Sequence, residues 1–336
     1  MAGTRVAARA DASAPVGSTK RKNRVANGSC RTDNPGIPIS MKAIMDAASI
    51  TRLFFLAAIW GASFLFMRVS VPAFGPVALI MFRVGIAAAF LWLAGRFFKH
   101  PLQAGRLWRH FLIIGVLNSA LPFILFAYAA QSLPASLLAI LNATSPLFGA
   151  AIGALWLRTP LTGAVAVGLA CGLAGVTVLV GQNLALAGTS EWTAIAAGLL
   201  APLSYSVASI YTKSRPGLAT PFNNAHGSMW MATLVVLPLF LFAPIRQFPD
   251  AGDWAAVSLL GIVCTGAAYL LYFRLIDDVG PTRALSVTFL IPVFGVLWGA
   301  VFLDEAIGWH TVLGGALILT GIATTAGLFG PRRQPA

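Results

Sequence analysis

The chain alternates between long apolar runs and short polar breaks from about residue 52 to residue 329. An α-helix rises ~1.5 Å per residue, so about 20 apolar residues match the ~30 Å hydrocarbon core of a bilayer. The breaks contain helix-ending residues such as Pro101, Pro134, Gly280 and Pro281. The pattern predicts ten membrane-spanning helices, at residues 52–71, 76–97, 109–129, 134–157, 162–180, 192–211, 222–243, 254–273, 281–303 and 309–329.

The composition agrees with a bilayer as the main solvent of the chain. Hydrophobic residues make up 58% of the sequence and charged residues 10%. Soluble domains usually contain about 25% charged residues. The mean hydropathy is +0.81. Together with the apolar runs, these values predict an all-α membrane protein.

Residues 1–50 form a separate basic region. It interleaves Ala, Ser, Gly and Pro with Arg5, Arg9, Lys20, Arg21, Lys22, Arg24 and Arg31. It has no apolar stretch of the kind found in a signal peptide. The composition predicts a disordered tail. Two alternatives stay open: translation that starts at Met41 or Met45, and an organelle transit peptide.

The basic residues beyond this tail predict the orientation in the membrane. With a cytoplasmic N-terminus, the cytoplasmic loops and the C-terminus hold Arg96, Lys99, Arg106, Arg109, Arg158, Lys213, Arg215, Arg274, Arg283, Arg332 and Arg333. The opposite side holds only Arg68 and Arg246. This positive-inside bias predicts a cell (inner or plasma) membrane protein with both termini in the cytoplasm, which requires an even number of spans. It also accounts for the net charge of +13 without a nucleic-acid partner.

The second half of the chain repeats the first. At an offset of 146 residues, Pro146, Gly149, Gly153, Gly168 and Gly175 fall on Pro292, Gly295, Gly299, Gly314 and Gly321. At an offset of 145, Pro76 falls on Pro221, so the loop around 97–107 carries a one-residue slip. Proline and glycine at fixed offsets do not follow from apolar composition alone. Five spans per half is an odd number, so we predict inverted repeats at 51–181 and 190–330, a construction typical of secondary transporters.

Several short stretches occur in the order found in one transporter family. They are Trp60 to Phe64, Phe82-Arg83, Asn118 to Gln131, Ser145 to Phe148, Tyr205, Gly280-Pro281, Leu290 to Phe294 and Leu303 to Glu305. Over residues 52–330 the chain resembles permeases of the EamA type in the drug/metabolite transporter superfamily. The resemblance implies transport of small metabolites, often export of amino acids, by alternating access. The first half departs from the pattern, with Leu157-Arg158-Thr159 where the second has Leu303-Asp304-Glu305.

Arg83 is the sharpest candidate for contact with a substrate. It lies about seven residues into the second span, or ~10 Å deep. An arginine at the apolar centre costs ~2.5–3.5 kcal/mol on insertion scales. Two interpretations stay open: binding of an anionic group such as a carboxylate, and snorkelling or a structural contact to carbonyl oxygens at a helix end. Arg68 lies closer to its interface, and we predict that it snorkels.

Other polar and aromatic residues near the span centres are candidates for lining a central cavity. They are Trp60, Ser63, Asn118, Asn142, Ser204, Tyr205, Tyr269, Thr288 and Trp298. The alternative for each is a hydrogen bond between helices, worth ~0.6 kcal/mol on average. Pro146 and Pro292 are candidate hinges because proline removes a backbone donor. His226 is a candidate for proton coupling, against the alternative of a satisfied interfacial histidine.

These features predict a secondary transporter, an exporter or exchanger, of a small organic metabolite such as an amino acid. The sequence contains no H-E-x-x-H, G-x-S-x-G or G-x-x-x-x-G-K-[ST] motif, and no Asp or Glu lies at a span centre. We therefore predict no enzyme, no catalytic residues, no metal site and no cofactor. The predicted partners are a small-molecule substrate and the lipid bilayer. The alternative function is a channel or a non-transporting membrane scaffold.

Overall fold

A computed structural model describes residues 46–99, 102, 104–156, 162–184, 189–243, 245–284 and 286–326. All regular secondary structure in these residues is helical. The elements are α1 (Ala47–Phe97), α2 (Ala104–Gly115), π1 (Val116–Ala120), α3 (Leu121–Ala129), α4 (Ala135–Asn142), α5 (Ser145–Trp156), α6 (Gly163–Leu184), α7 (Thr189–Lys213), α8 (Pro221–Phe242), α9 (Ala251–Gly261), π2 (Ile262–Ala267), α10 (Ala268–Val279), α11 (Pro281–Ala284), α12 (Val287–Leu303) and α13 (Trp309–Thr325).

The basic tail predicted at 1–50 lies mostly outside the described residues. Its last residues differ from the prediction, because α1 begins at Ala47. The side chain of Asp46 accepts a hydrogen bond from the Ser49 backbone N–H at 3.1 Å and caps this helix. Helix α1 therefore begins a few residues before the first predicted span.

Helix α1 has 51 residues and is broken at Gly75. Gly75 has φ 72° and ψ 164°, a conformation that an L side chain adopts at a cost. Just before it, the Ala73 carbonyl accepts hydrogen bonds from the backbone N–H groups of Arg246 and Gln247, both at 3.1 Å. The break lies between residues 71 and 76, where the sequence predicts a boundary between two spans.

Seven helical stretches of the described chain are long and apolar enough to cross a membrane. They are Ala47–Phe97, Gly105–Ala129, Ala135–Trp156, Gly163–Gly181, Ser190–Lys213, Pro221–Phe242 and Ala251–Val279. The prediction of an all-helical membrane protein is confirmed. These lengths do not by themselves give ten spans, because Ala47–Phe97 counts once although it is broken at Gly75, and α12 and α13 have only 17 residues each.

Four glycines at the crossing of α6 and α13 make contacts that follow the sequence repeat. A Cβ atom added to Gly168 would lie 2.6 Å from the Gly321 carbonyl oxygen. A Cβ atom added to Gly175 would lie 2.7 Å from the Gly314 carbonyl oxygen. At the offset of 146, Gly168 corresponds to Gly314 and Gly175 to Gly321, so each contact maps onto the other. The two backbones approach closely here because these four positions are glycines, which have no side chain to hold the helices apart.

A second pair of glycines also makes contacts that correspond between the repeats. Each of them directly precedes a π-helix. A Cβ atom added to Gly115 would lie 2.9 Å from the Ser228 carbonyl oxygen, and one added to Gly261 would lie 3.1 Å from that of Arg83. The glycines are 146 residues apart, and their neighbours are 145 apart. This pair of equivalent contacts therefore agrees with the change from an offset of 145 to one of 146 that the sequence predicts near 97–107.

Candidate functional site

Two π-helices interrupt long helical stretches at equivalent places in the two repeats. The first, π1, lies inside the stretch from Ala104 to Ala129, and π2 lies inside the stretch from Ala251 to Val279. Val116 and Ile262, where they begin, are separated by the repeat offset of 146 residues. Short π-helical insertions are rare and occur frequently at functional sites. The sequence analysis missed both of them, because a π-helix has no residue signature in a single sequence.

Arg83 lies beside π2 and is 5% exposed. Its Nε donates a hydrogen bond to Thr265 Oγ1 at 3.1 Å. The Thr265 hydroxyl in turn donates to the Leu260 carbonyl oxygen at 2.8 Å, a bond that spans five residues. Arg83 Nη1 lies 3.6 Å from the sulfur of Met67 on the first leg of α1. The π-helix thus presents a hydroxyl oxygen to the guanidinium group.

An aromatic ring covers one face of the same guanidinium. Arg83 Cζ lies 3.6 Å from the centre of the Phe123 ring, a cation–π contact worth about 2 kcal/mol where water is excluded. Tyr205 and Tyr269 lie close enough to interact electrostatically with Arg83. Asn118 Nδ2 donates to the Tyr269 hydroxyl at 3.2 Å, which joins π1 to α10. We call these residues the central cluster: Arg83, Asn118, Phe123, Tyr205, Thr265 and Tyr269.

Arg83 has no carboxylate partner in the part of the chain that the structure describes. The acidic residues there lie at helix ends or between helices: Asp46, Glu191, Asp250, Asp253, Asp277, Asp278, Asp304 and Glu305. Nη2 of Arg83 makes no hydrogen bond with the described residues. A buried charge without an opposite charge beside it is costly.

Arg68 is used differently from Arg83. Its Nη1 donates to the carbonyl oxygens of Ala130 and Gln131, at 2.5 and 2.8 Å. These oxygens follow the last turn of α3, where carbonyl groups have no partner within the helix. Arg68 therefore caps a helix end, which replaces the predicted snorkelling with a defined structural contact.

Three predicted lining residues make other contacts instead of joining the central cluster. Ser63 Oγ donates to the Trp60 carbonyl oxygen at 2.5 Å, and the Trp60 ring packs 5.3 Å from that of Tyr272. Trp298 Nε1 donates to the Ala58 carbonyl oxygen at 2.9 Å, which ties α12 to α1. The Ser63 hydroxyl is thus bonded within its own turn, and the Trp298 N–H is bonded to a neighbouring helix.

Ser204 also has a backbone partner. Its hydroxyl donates to the Leu117 carbonyl oxygen at 2.7 Å. This bond reaches from α7 to π1, one residue before Asn118. Ser204 therefore helps to hold the π1 backbone in place next to Asn118 of the central cluster.

The candidate hinges lie in two different settings. The chain leaves the helix after Asn142 and resumes at Ser145, with Pro146 as the second residue of α5. Pro292 lies inside the continuous helix α12, whose second residue is Thr288. The span predicted at 134–157 corresponds to one apolar helical stretch, Ala135–Trp156, which is interrupted between α4 and α5.

A local hydrogen bond accompanies the break between α4 and α5. The hydroxyl of Thr144 donates to the Leu141 carbonyl oxygen at 2.7 Å, while its backbone N–H bonds the same oxygen at 3.1 Å. Pro146 has no N–H with which to continue the helix, and it is well tolerated in a first turn. The half-buried side chain of Asn142 lies at the end of α4, next to this break.

His226 lies apart from the other candidates. It is 2% exposed, and its Nε2 accepts a hydrogen bond from Trp230 Nε1 at 3.1 Å. It lines a cavity of about 730 Å³ between the end of α1 and α8, which none of the nine lining candidates or Arg83 enters. The structure therefore separates the candidate for proton coupling from the central cluster.

Two polar contacts join the repeats, one at the start of α4 and the other in the first turns of α1. The Glu305 carboxylate accepts hydrogen bonds from the backbone N–H groups of Ala135 and Ser136, at 2.6 and 3.0 Å, at the start of α4. Arg52, in the first turns of α1, pairs with Asp278 at 2.5 Å near the end of α10. The glutamate that the second repeat keeps thus binds the first repeat directly.

The sequence analysis missed Phe123 and Thr265, which complete the surroundings of Arg83. One signal was available for Thr265: it corresponds to Ser119 at the offset of 146, so both π-helices carry a hydroxyl at the same place. The Ser119 hydroxyl is buried without a hydrogen-bond partner in the described chain, whereas Thr265 has Arg83. The repeats therefore share a framework and differ in chemistry.

Comparison with known proteins identifies relatives along most of the chain. The model of the EamA-like transporter family matches twice, at residues 49–181 and 192–327. An uncharacterized transporter of Bacillus subtilis, YoaV, is 24% identical, covering 82% of this chain and 95% of its own. Protein PecM of Dickeya dadantii is 24% identical over 84% of this chain and 94% of its own. The uncharacterized inner membrane transporter YedA of Escherichia coli is 27% identical over 82% and 90%.

A crystal structure of a further protein has the same fold. It superposes with a TM-score of 0.62 at 21% sequence identity and covers 85% of this chain and 99% of its own. The long apolar helices, the contacts that follow the repeat and the two family matches lead to one conclusion. The chain belongs to the EamA-like transporter family and is a multi-pass integral membrane transporter.

Proposed function

We propose that this protein is a secondary transporter, an exporter or exchanger, of a small organic metabolite that carries an anionic group, such as an amino acid. The observation that supports this most directly is Arg83, a buried cation with no carboxylate partner among the described residues. A substrate carboxylate supplies the missing charge. The planar guanidinium group can offer a carboxylate two parallel hydrogen bonds, and Nη2 is available for one of them.

The proposed architecture has ten spans in two inverted repeats, residues 51–181 and 190–330. Two spans come from the legs of α1 on either side of Gly75, and π1 and π2 each lie within one span. The helices α4 and α5 form one interrupted span, and α11 and α12 another. Five spans precede residue 185, so the second repeat enters the membrane from the other side. The basic residues favour the cell membrane with both termini in the cytoplasm.

The proposed mechanism is alternating access around the central cluster. Arg83 and Ser204 are 5% and 6% exposed, so a substrate reaches them only when the repeats separate on one side. Opening on one face has to release the bonds from Glu305 to α4, and opening on the other has to release Arg52 from Asp278. The break between α4 and α5 gives the first repeat a place to bend.

A substrate screen with matched arginine variants tests the role of Arg83. Purified protein is melted with amino acids, other carboxylates, nucleosides and sugars, and hits are followed by counterflow in proteoliposomes. We expect an anionic compound to stabilise the wild type and to lose its effect in Arg83→Gln, since the charge is gone. Arg109→Gln, an exposed arginine on α2, is the control. Equal stabilisation of Arg83→Gln and wild type by the anionic compound contradicts the proposed role of Arg83.

Counterflow separates the carrier from the alternative of a channel or scaffold. A carrier exchanges labelled for unlabelled substrate and saturates, because each cycle moves one bound molecule. Flux that rises linearly with concentration and shows no exchange refutes the carrier mechanism, whatever Arg83 does. No flux with any compound that binds favours the scaffold.

A further inference from the structure

A groove between the C-terminal end of α1 and α8 is lined by residues that the transport site does not use. Its volume is about 730 Å³. Arg96 and Lys99 lie at its basic end, and Trp92, Trp230 and Leu234 form its apolar walls. Among the described residues, no acidic side chain lines it. We call it the α1–α8 groove.

The basic end of the α1–α8 groove lies where α1 terminates. Arg96 is in the last turn of α1, and its Cζ lies 5.8 Å from the centre of the Trp92 ring. Lys99 follows the helix end with φ 56°, in the left-handed region that a lysine adopts at a cost. Both side chains are exposed. Two exposed cations therefore line one end of an apolar cleft.

The apolar walls open outward from the helices. Trp92 is 51% exposed and Leu234 is 56% exposed. Both residues belong to helices long and apolar enough to cross the membrane, so their exposed faces meet lipid. A hydrocarbon chain fits against these walls, while a small polar solute has nothing to bond there.

A buried histidine, His226, also lines the groove and is 2% exposed. Since its Nε2 accepts the Trp230 N–H, the neutral ring carries its hydrogen on Nδ1. Nδ1 has no hydrogen-bond partner in the described chain. A buried donor without a partner calls for an acceptor, and a phosphate or ester oxygen in the groove supplies one.

We infer that the α1–α8 groove binds an anionic phospholipid. Its phosphate lies between Arg96 and Lys99, an oxygen of its headgroup region accepts from His226, and an acyl chain follows Trp92 and Leu234. Basic pockets between membrane helices bind anionic headgroups because each nearby cation attracts the phosphate. In the proposed orientation the groove faces the cytoplasmic leaflet, where the basic loops of this chain also lie.

Lipid binding to the delipidated full-length protein in detergent tests this inference. Phosphatidylglycerol and phosphatidylcholine with the same acyl chains are titrated, and the bound lipid is counted by native mass spectrometry. We expect preferential binding of phosphatidylglycerol. In the double variant Arg96→Gln/Lys99→Gln its dissociation constant should rise about 25-fold, a factor of about five for each of the two lost cations. Arg106→Gln/Arg109→Gln, on the same face but outside the groove, should bind as the wild type does.

A second variant tests the apolar part without changing any charge. Because residue 234 is exposed, we expect Leu234→Trp to fill the groove without disturbing the fold. It should therefore weaken the binding of both lipids. Inorganic phosphate and glycerol 3-phosphate distinguish a lipid from a free anion: we expect neither to compete with phosphatidylglycerol at equal concentration. Equal binding by wild type and the double variant overturns the inference. Full competition by free phosphate, or no effect of Leu234→Trp, overturns the assignment to a lipid.

Discussion

Replacing Glu305 with glutamine should weaken the contact between the second repeat and the start of α4. The carboxylate accepts two backbone hydrogen bonds, from Ala135 at 2.6 Å and Ser136 at 3.0 Å. A hydrogen bond to a charged group contributes about 1.5–3 kcal/mol, and a negative charge at a helix N-terminus adds about 0.3–1 kcal/mol. Glutamine keeps one acceptor oxygen and loses the charge. For this half-buried group we expect a loss of about 2 kcal/mol in the free energy of unfolding.

Gly299→Ala should disturb the same contact, because Gly299 lies against the Glu305 carboxylate. A Cβ atom added to Gly299 would lie 2.4 Å from Glu305 Oε2, so the carboxylate has to move away from α4. Replacing a helical glycine with alanine usually stabilises a protein by about 0.4–1 kcal/mol. We expect the opposite sign here. Gly149→Ala, in α5 with nothing within 4 Å of an added Cβ atom, is the matched control and should be neutral or stabilising.

A double-mutant cycle measures whether the two changes act through one contact. Unfolding free energies of wild type, Glu305→Gln, Gly299→Ala and the double variant are measured by denaturant titration in mixed detergent micelles. Because the second change finds the contact already broken, the double variant should lose less than the sum of the single losses. Additive losses, or a stabilised Gly299→Ala protein, would show that Glu305 does not hold α4 in solution.

Two further changes have matched predictions. Gly175→Ala should destabilise the crossing of α6 and α13 by about 1–3 kcal/mol, since the new Cβ atom meets the Gly314 carbonyl oxygen; Gly181→Ala in the same helix, with open space around it, should not. Thermal melting in detergent compares the two. Arg52→Gln should cost about 0.5–1 kcal/mol by removing the partly exposed pair with Asp278. High salt should shrink the difference from wild type, and a salt-independent loss would point to packing instead.

The all-helical membrane architecture was predictable because bilayer thickness imposes a length on apolar runs. The same reasoning could not find the break between α4 and α5. Residues 134–157 form one apolar run, and Pro146 marks a weak point without giving its geometry. The break depends on the Thr144 hydroxyl, which bonds the Leu141 carbonyl oxygen and competes with the helical pattern. Such local competition depends on a rotamer and does not appear in hydropathy.

The candidate site was predictable in part. Arg83 was found because charge at membrane depth is costly wherever the chain goes. Its partner Thr265 was missed because the two residues are 182 positions apart and come together only through helix packing. The contact of Trp298 could not be predicted for the same reason, because its indole N–H bonds the Ala58 carbonyl oxygen, 240 positions away. Depth can be read from one helix, whereas a hydrogen-bond partner requires the arrangement of several.

The repeats keep their backbone contacts and differ in their chemistry at the centre. Gly115 and Gly261 hold equivalent positions against Ser228 and Arg83, so the helices pack in the same way in both halves. In the proposed mechanism this backbone symmetry is what lets two conformations of similar energy exchange. A single metabolite, however, needs only one anion-binding group, and a second buried arginine would repel the first. Position 228 is a serine, so the two-fold relation of the backbone does not extend to the Arg83 side chain.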